Sequence, residues 1–311
     1  MKVATSLADA DVSHPSVVSI GNFDGLHLGH RAILKTVVER ARQLGGQSVA
    51  MTFWPHPIHF LAPDRAPRLI SSLEQKIELM RGTGIDVLFI AKFDQAFSRL
   101  SPEHFVREYL VDGLKACLVC VGGNFNFGYR QRGTVQTLRE FKSHFDVVEV
   151  PPVRVRGTIV SSSRIRELVQ AGEVSAACRL LGRWIRIEGK IVSGAGRGRT
   201  LQAPTLNLDP DNELIPRVGV YVTRISLDNG VFMDGVTNVG FRPTFGETQL
   251  TIETFVLNQP VSESPQKARL DFLYRLRDER KFGSADELRE QIALDVQKAQ
   301  KFFRLLKGSR G

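Results

Sequence analysis

His27 and His30 stand three residues apart at the end of GNFDGLHLGH, the stretch from Gly21 to His30. Imidazoles donate hydrogen bonds and can carry charge near neutral pH, which suits contact with an anionic ligand. The apolar run Val17, Val18 and Ile20 in front of them reads as a buried strand, and Arg31 to Leu44 behind them as an amphipathic helix. The pair therefore sits on a strand-to-helix turn, where free backbone N–H groups and the positive end of the helix dipole favour a phosphate. Gly21, Gly25 and Gly29 would let that ligand come close to the backbone.

A second constellation is VSSSRIR, Val160 to Arg166, at the start of a helix expected over Ser163 to Ala171. Ser161 to Ser163 are good N-cap residues, and capping alone accounts for at least one of them. Arg164 and Arg166 are different, because helix N-termini favour acids; a phosphate partner is a reason for two arginines there. Cys117 and Cys120 have CxxC spacing inside the apolar run ACLVCVGG, where strand alternation would send them in different directions. With no second ligand pair following, they read as ordinary buried strand residues.

The elements that must position these residues alternate along the first half of the chain. Apolar runs at Val17 to Ile20, Ser48 to Phe53, Val87 to Phe93, Ala116 to Val121 and Phe145 to Val150 are separated by helical stretches. Those stretches are Arg31 to Leu44, Leu73 to Arg81, Pro102 to Leu110 and Val135 to Ser143. The alternation predicts a parallel sheet with helices on both faces, and such sheets bind ligands beyond the carboxyl ends of their strands. Two further loops would reach that edge: FWPHP, Phe53 to Pro57, and GGNFNFGYRQRG, Gly122 to Gly133.

From Trp184 the pattern changes to closely spaced strand-like runs, Ile185 to Val192, Val218 to Ile225, Val231 to Val236, Thr251 to Val256 and Ala268 to Leu276. Turn residues between them predict a small antiparallel barrel. Ala285 to Leu306 then keeps apolar residues at helical spacing and is expected to plug the barrel or pack on it.

With 311 residues the chain suits two domains, divided as 1–183 and 184–311. No apolar run is long enough to span a bilayer, and the N-terminus lacks the basic-then-apolar layout of a secretory signal, so a cytoplasmic protein is expected. The net charge of +9 suits an anionic partner, whether nucleotide, nucleic acid or membrane surface, without choosing among them.

Taken together, the segments resemble the bacterial bifunctional riboflavin kinase and FAD synthetase family over nearly the whole chain. GNFDGLHLGH, FWPHP, GGNFNFG and SSSRIR are similar to its nucleotidyltransferase module, in order and spacing. GRGRTLQAPTLNL, GVYVTRI, GVTNVGFRPTFG, IETF and FLYRLRDERKF with the final helix are similar to its kinase module. The resemblance implies an α/β, Rossmann-like nucleotidyltransferase domain carrying HxGH, followed by a riboflavin kinase-like antiparallel β-barrel with a terminal helix. It implies ATP, riboflavin and FMN as substrates, with Mg²⁺ as cofactor.

In the first module the resemblance implies transfer of AMP from ATP to FMN, with His27 and His30 as donors to the triphosphate. Gly21, Phe23, Asp24, Gly25 and Gly29 would line that site, Asp24 orienting donors or positioning a metal. His56 and Pro57 would shape a pocket wall, Asn124 hold a nucleotide, and Ser162, Arg164 and Arg166 bind phosphates from the other side. In the second module it implies phosphorylation of riboflavin, with Glu253 as the base. Gly194, Gly196, Gly198 and Arg199 would cover the ATP phosphates beside Pro204, with Asn238 and Arg242 also binding ATP or flavin. Thr205 and Asn207 offer oxygen ligands to the metal.

The chain has QAPTLN where the family commonly has GFPTAN, and Phe255 where histidine is frequent. Those departures leave open a chain that only adenylylates, with a weakened kinase module, or one that uses another phosphate acceptor. A nucleic-acid-binding protein is a remoter alternative, because Lys and Arg are spread along the chain without an aromatic-basic stacking motif.

Overall fold

The computed structural model describes residues 1–192, 205–228, 230–243, 248–257 and 266–308. The chain divides into two compact units, Met1–Ser162 and Ser163–Gly311.

The first unit is built on six parallel strands: β1 (Lys2–Ala4), β2 (Ser16–Ile20), β3 (Gln47–Trp54), β4 (Val87–Lys92), β5 (Ala116–Gly122) and β6 (Asp146–Val150). All five residues of β2 are buried, as a central strand covered on both faces requires. The order across the sheet is β1-β4-β3-β2-β5-β6. The chain therefore winds one way from β2 through β3 to β4, then returns to place β5 on the other side of β2. That reversal leaves a crevice beyond the carboxyl ends of β2 and β5, where doubly wound sheets take their ligands. The histidine motif follows β2, and GGNFNFG follows β5, so the topology sends both loops to one place.

The helices of this unit are α1 (Leu7–Ala10), α2 (Leu28–Leu44), α3 (Pro57–Leu61), α4 (Leu73–Arg81), α5 (Gln95–Ser98), α6 (Pro102–Phe105) and α7 (Val135–Arg139). One face of the sheet packs on Leu34, Val37, Val38 and Ala41 of α2 and on Met80 of α4. The other packs on Phe105, Val106, Leu110, Val135 and Leu138. The expected helix from Pro102 to Leu110 begins as α6 but runs on as a π-helix over Val106–Gly113. α7 ends at Arg139 rather than Ser143, and the three-residue edge strand β1 was not expected.

The expectation for the two cysteines needs correction. Ser16 pairs with Ala116 but Val17 pairs with Leu118, so the register slips by one residue at Cys117. The slip puts Cys117 and Cys120 against the same apolar cluster instead of opposite ones. Both are free thiols, and burial pushes Cys120 up to about 11.

A two-stranded ribbon, β7 (Arg154–Val155) and β8 (Thr158–Ile159), leads to α8 (Ser162–Gln170) and α9 (Val174–Leu181). The second unit then closes a barrel of six strands in the order β10-β13-β12-β11-β14-β9, every pair antiparallel. Its strands are β9 (Ile185–Val192), β10 (Thr205–Pro210), β11 (Gly219–Leu227), β12 (Phe232–Pro243), β13 (Thr248–Val256) and β14 (Lys267–Arg277). β10 was not among the expected strands.

Inside the barrel the hydroxyls of Thr223, Thr237 and Thr254 form a buried chain, with oxygens 2.7 and 2.8 Å apart. Each hydroxyl is thereby satisfied in an otherwise apolar interior. Outside, Val220, Val222, Val236 and Leu273 pack against Ala299 and Phe303 of α10 (Ala285–Gly308). The terminal helix therefore covers the barrel wall and does not plug its lumen. α9 packs on β14, where Ser175 Oγ donates to Leu273 O at 2.9 Å. Among the described residues no helix is long and apolar enough to cross a membrane.

One ion pair fixes α10 to the wall. Arg277 donates from Nε and Nη2 to Asp295 at 2.8 to 3.2 Å, and Gln291 Nε2 donates to the same carboxylate at 2.9 Å. Asp295 is buried, so removing it strands a cation beneath the helix. Asp295→Ala is expected to cost about 3 kcal/mol, the low end for a broken buried pair because Arg277 keeps some water. Urea unfolding of the barrel would read this, with a smaller loss for Asp295→Asn.

Candidate active sites

The turn between β2 and α2 is held from below by apolar side chains. Phe23 and Leu26 are buried among Val17, Leu34 and Val37, although both take left-handed backbone conformations, with φ of 47° and 37°. Such conformations cost about 1–3 kcal/mol each and cluster at ligand-binding turns. Here the burial of two large side chains opposes that cost.

His27 is the N-cap of α2. Its Nδ1 accepts a hydrogen bond from the His30 N–H at 3.2 Å. An accepting Nδ1 assigns the ring proton to Nε2, which makes Nε2 the donor end of the imidazole. The His27 and His30 rings stack with centroids 3.6 Å apart and planes 14° apart, while Phe23 meets His30 edge-on at 5.3 Å. Because His27 caps the third N–H of the helix, those of Leu28 and Gly29 lack an intrahelical partner and suit an anion. Gly29 makes room for the cap, since a Cβ there would lie 3.1 Å from His27 Cε1. Gly21 packs beneath the Phe23 ring in the same way, at 3.2 Å.

Asp24 is buried within the turn. Its buried carboxylate accepts hydrogen bonds from Ile70 N at 3.1 Å, Ser71 N at 3.2 Å and Ser71 Oγ at 3.3 Å. Ser71 Oγ also accepts from Gly25 N at 3.1 Å, and Ser162 Oγ donates to the Asp24 carbonyl at 3.0 Å. Of the two roles expected for Asp24, orienting donors fits these contacts. Ser162 touches the turn's backbone, and Arg164 and Arg166 follow it on the first turn of α8. Arg164 Nη1 also pairs with Glu167 at 2.9 Å.

His56 is the N-cap of α3, its Nδ1 accepting from Ile58 N at 3.4 Å with Pro57 at the first helical position. Asn124 is exposed on the turn after β5, and its carbonyl accepts from Asn126 Nδ2 at 3.3 Å.

In the barrel, strand pairing collects residues far apart in sequence. Asn207 on β10 lies opposite Glu253 on β13, and Glu253 lies opposite Asn238 on β12. The three side chains form one row on the outer wall, the face that carries Val236 and Phe255 two residues along. Thr205, two residues before Asn207, shares that face. All four are half-buried. Asn238 Nδ2 donates to Glu279 Oε1 at 3.4 Å, which brings a second carboxylate to the end of the row. Arg242 lies on β12 opposite Gln249. Gly194, Gly196, Gly198, Arg199 and Pro204 lie outside the described residues.

Comparison with known proteins follows the same division. A family model for FAD synthetase matches residues 9–164, and one for riboflavin kinase matches residues 181–303. The bifunctional riboflavin kinase/FMN adenylyltransferase of Bacillus subtilis is 36% identical over 296 residues, 93% of this chain and 92% of that one. The chain belongs to this family. The Escherichia coli K12 member is 31% identical over 293 residues, 94% of each chain. A solved structure from Streptococcus pneumoniae, described as a macrolide-efflux protein, superposes with a TM-score of 0.87 at 26% identity, covering 96% of this chain and 99% of that one.

Family membership places both transferase modules in one polypeptide, and the match through the kinase segment supports the two-reaction reading over a chain that only adenylylates with a weakened or inactive kinase module. What sequence reasoning missed is the support behind the histidines: Ile70, Ser71 and Lys76, from a segment with no chemical motif. The one available signal was the capping box at Ser72 and Gln75, which marks the start of α4 just behind Asp24.

Gly25 sits at φ 74°, and a Cβ added there would lie 2.8 Å from Ile70 Cγ2. Gly25→Ala is therefore expected to lose about 1–2 kcal/mol of stability in the first unit, from backbone strain and the clash together. A fall in its thermal midpoint, with weaker nucleotide binding by calorimetry, would bear this out.

Proposed function

We propose that the chain phosphorylates riboflavin with ATP to give FMN, and adenylylates FMN with a second ATP to give FAD and pyrophosphate. The observation that carries this reading is the end-to-end similarity to bifunctional relatives through both units. Residues 1–183 would perform the adenylyl transfer and residues 184–311 the kinase reaction.

In adenylyl transfer an FMN phosphate oxygen attacks the α-phosphorus of ATP, and the bond to the bridging oxygen of the leaving pyrophosphate breaks. The nucleophile is already an anion at neutral pH, so alignment and charge stabilisation are the protein's task. His27 Nε2, the His30 ring and the N–H groups opening α2 supply donors where charge grows on pyrophosphate. Ser162, Arg164 and Arg166 bind phosphates across the turn, Asn124 holds a nucleotide, and His56 and Pro57 shape the wall beside it.

In the kinase reaction the acceptor is a neutral ribityl hydroxyl. Glu253 takes its proton as the oxygen attacks the γ-phosphorus and ADP leaves. The hydroxyl of Thr205 and the amide oxygen of Asn207, in one row with Glu253, are the hard oxygen donors Mg²⁺ prefers. Among the described residues no cluster of three His, Cys, Asp or Glu could hold a metal by itself. Such a sparse donor set suits an ion held largely by nucleotide phosphates, and Mg²⁺ would supply charge neutralisation there. Asn238 and Arg242 bind nucleotide or flavin. The protein acts in the cytoplasm on small molecules, without nucleic acid or membrane partners.

The two reactions are separable in one preparation. His30→Ala is expected to abolish FAD formation from FMN while riboflavin phosphorylation continues, and Glu253→Ala to do the reverse. Chromatographic assay of FMN and FAD decides it: losses shared by both reactions would overturn the two-site division, and untouched riboflavin in the wild type would overturn the kinase assignment.

A further inference from the structure

Lys76 lies on α4, carries no part of any motif, and is 2% exposed. Lysine is almost never fully buried unless its charge is answered. Two groups answer it. Nζ stands over the ring of Trp54, 5.8 Å from its centroid, and Trp54 ends β3 just before the loop that carries His56. The other is Asp24, also 2% exposed, whose negative charge attracts the ammonium. Burial outweighs that attraction and pulls Lys76 down to about 8, so the group still keeps most of its charge at neutral pH.

Asp24 is held by hydrogen bonds from the residues before α4 and feels one charge from within that helix. The residues leading into α4, Ile70 and Ser71, give their N–H groups to the carboxylate, and the Lys76 ammonium within α4 interacts with it through charge alone, without a hydrogen bond. Asp24 is three residues before His27 and next to Gly25, whose N–H is held by Ser71. The left-handed residues Phe23, Gly25 and Leu26 surround it, a backbone that persists only where its surroundings over-determine it. A buried charge is weak evidence for added stability, and this one stands beside a turn whose backbone is already tightly constrained.

We infer that Lys76 is a positioning residue for adenylyl transfer, a buried cation that braces the turn carrying His27 and His30 against the loop leaving β3. The inference rests on the adenylyl-transfer reading of this site. Lys76 is too buried to touch a ligand and acts through Asp24, holding the turn at the distance from which the histidines meet the pyrophosphate. Without the cation the turn relaxes, and small displacements of donors are costly to rate.

The test uses the full chain with Lys76→Met, Lys76→Arg, Asp24→Asn and the Lys76→Met/Asp24→Asn double variant. FAD formation from FMN and ATP, FMN formation from riboflavin and ATP, and thermal midpoints are measured in each preparation. Lys76→Met is expected to lower kcat for FAD formation roughly tenfold or more, with KM for FMN and ATP moved less than about threefold. Lys76→Arg recovers part of the rate, FMN formation is unchanged, and the double variant is no slower than the slower single. Wild-type FAD kinetics in Lys76→Met, a loss carried by KM alone, independent losses in the double variant, or equal losses in both reactions would each overturn the inference. Should Lys76→Met fail to fold, Lys76→Arg against Asp24→Asn carries the comparison, and an arginine variant no better than Asp24→Asn counts against it. Absence of FAD from wild-type enzyme given FMN would instead overturn the reading of the site itself.

Discussion

The adenylyl-transfer edge depends on one buried carboxylate. Asp24 gathers the N–H groups of Ile70 and Ser71 and the Ser71 hydroxyl, and in doing so ties the turn after β2 to the start of α4. Without it the turn would have to hold three left-handed residues, Phe23, Gly25 and Leu26, by apolar packing and the bonds of Ser71 and Ser162 to its backbone. The cap made by His27 Nδ1 to the His30 N–H comes next in the chain and inherits its position from that anchor. Buried on N–H donors, the carboxylate adds less repulsion to a triphosphate than the same group exposed on the turn would.

Sheet topology adds the second constraint. The strand order reverses between β2 and β5, and this opens the crevice that the anchored turn faces. The barrel gathers its candidate residues by a different route. Its pairing registers set Asn207, Glu253 and Asn238 side by side on one face, so the row is a property of hydrogen-bond register and not of local sequence. A slip of one residue in β13 would turn Glu253 into the lumen beside the threonine hydroxyls. The buried chain Thr223, Thr237 and Thr254 opposes such a slip, since any shift would leave hydroxyls without partners in an apolar interior.

Much of this was legible in the sequence because it is periodic. Continuous apolar runs marked β2 to β6 within one or two residues, and the 3.6-residue spacing marked α4 at its observed ends. Motif chemistry placed His27 at a helix start, where it is the cap. What stayed hidden was long-range. Lys76 looks like any exposed helical lysine until the fold closes over it, and the bond from Ser71 to Gly25 spans 46 positions. β10 escaped because Thr205 to Pro210 alternates weakly and contains Asn, Asp and Pro; its pairing with β9 and β13 overrides that composition. The cysteine pair was misplaced for a related reason, since a single register slip against β2 inverts the parity on which alternation depends.

The two sites also differ in a way their reactions require. At the first, the acceptor is an anionic phosphate, and the carboxylate of the motif is buried on N–H donors, which agrees with the proposed use of imidazole and backbone groups as the donors to the ligand. At the second, the acceptor is a neutral hydroxyl, and a carboxylate stands half-buried on the open face in a row with amide and hydroxyl oxygens. A base facing the first site would add repulsion without removing any proton that matters, and a second site without one would leave the proton of the alcohol with no acceptor. Under the proposed assignment, the burial of Asp24 and the half-buried setting of Glu253 are opposite answers to one question, whether the nucleophile arrives already charged.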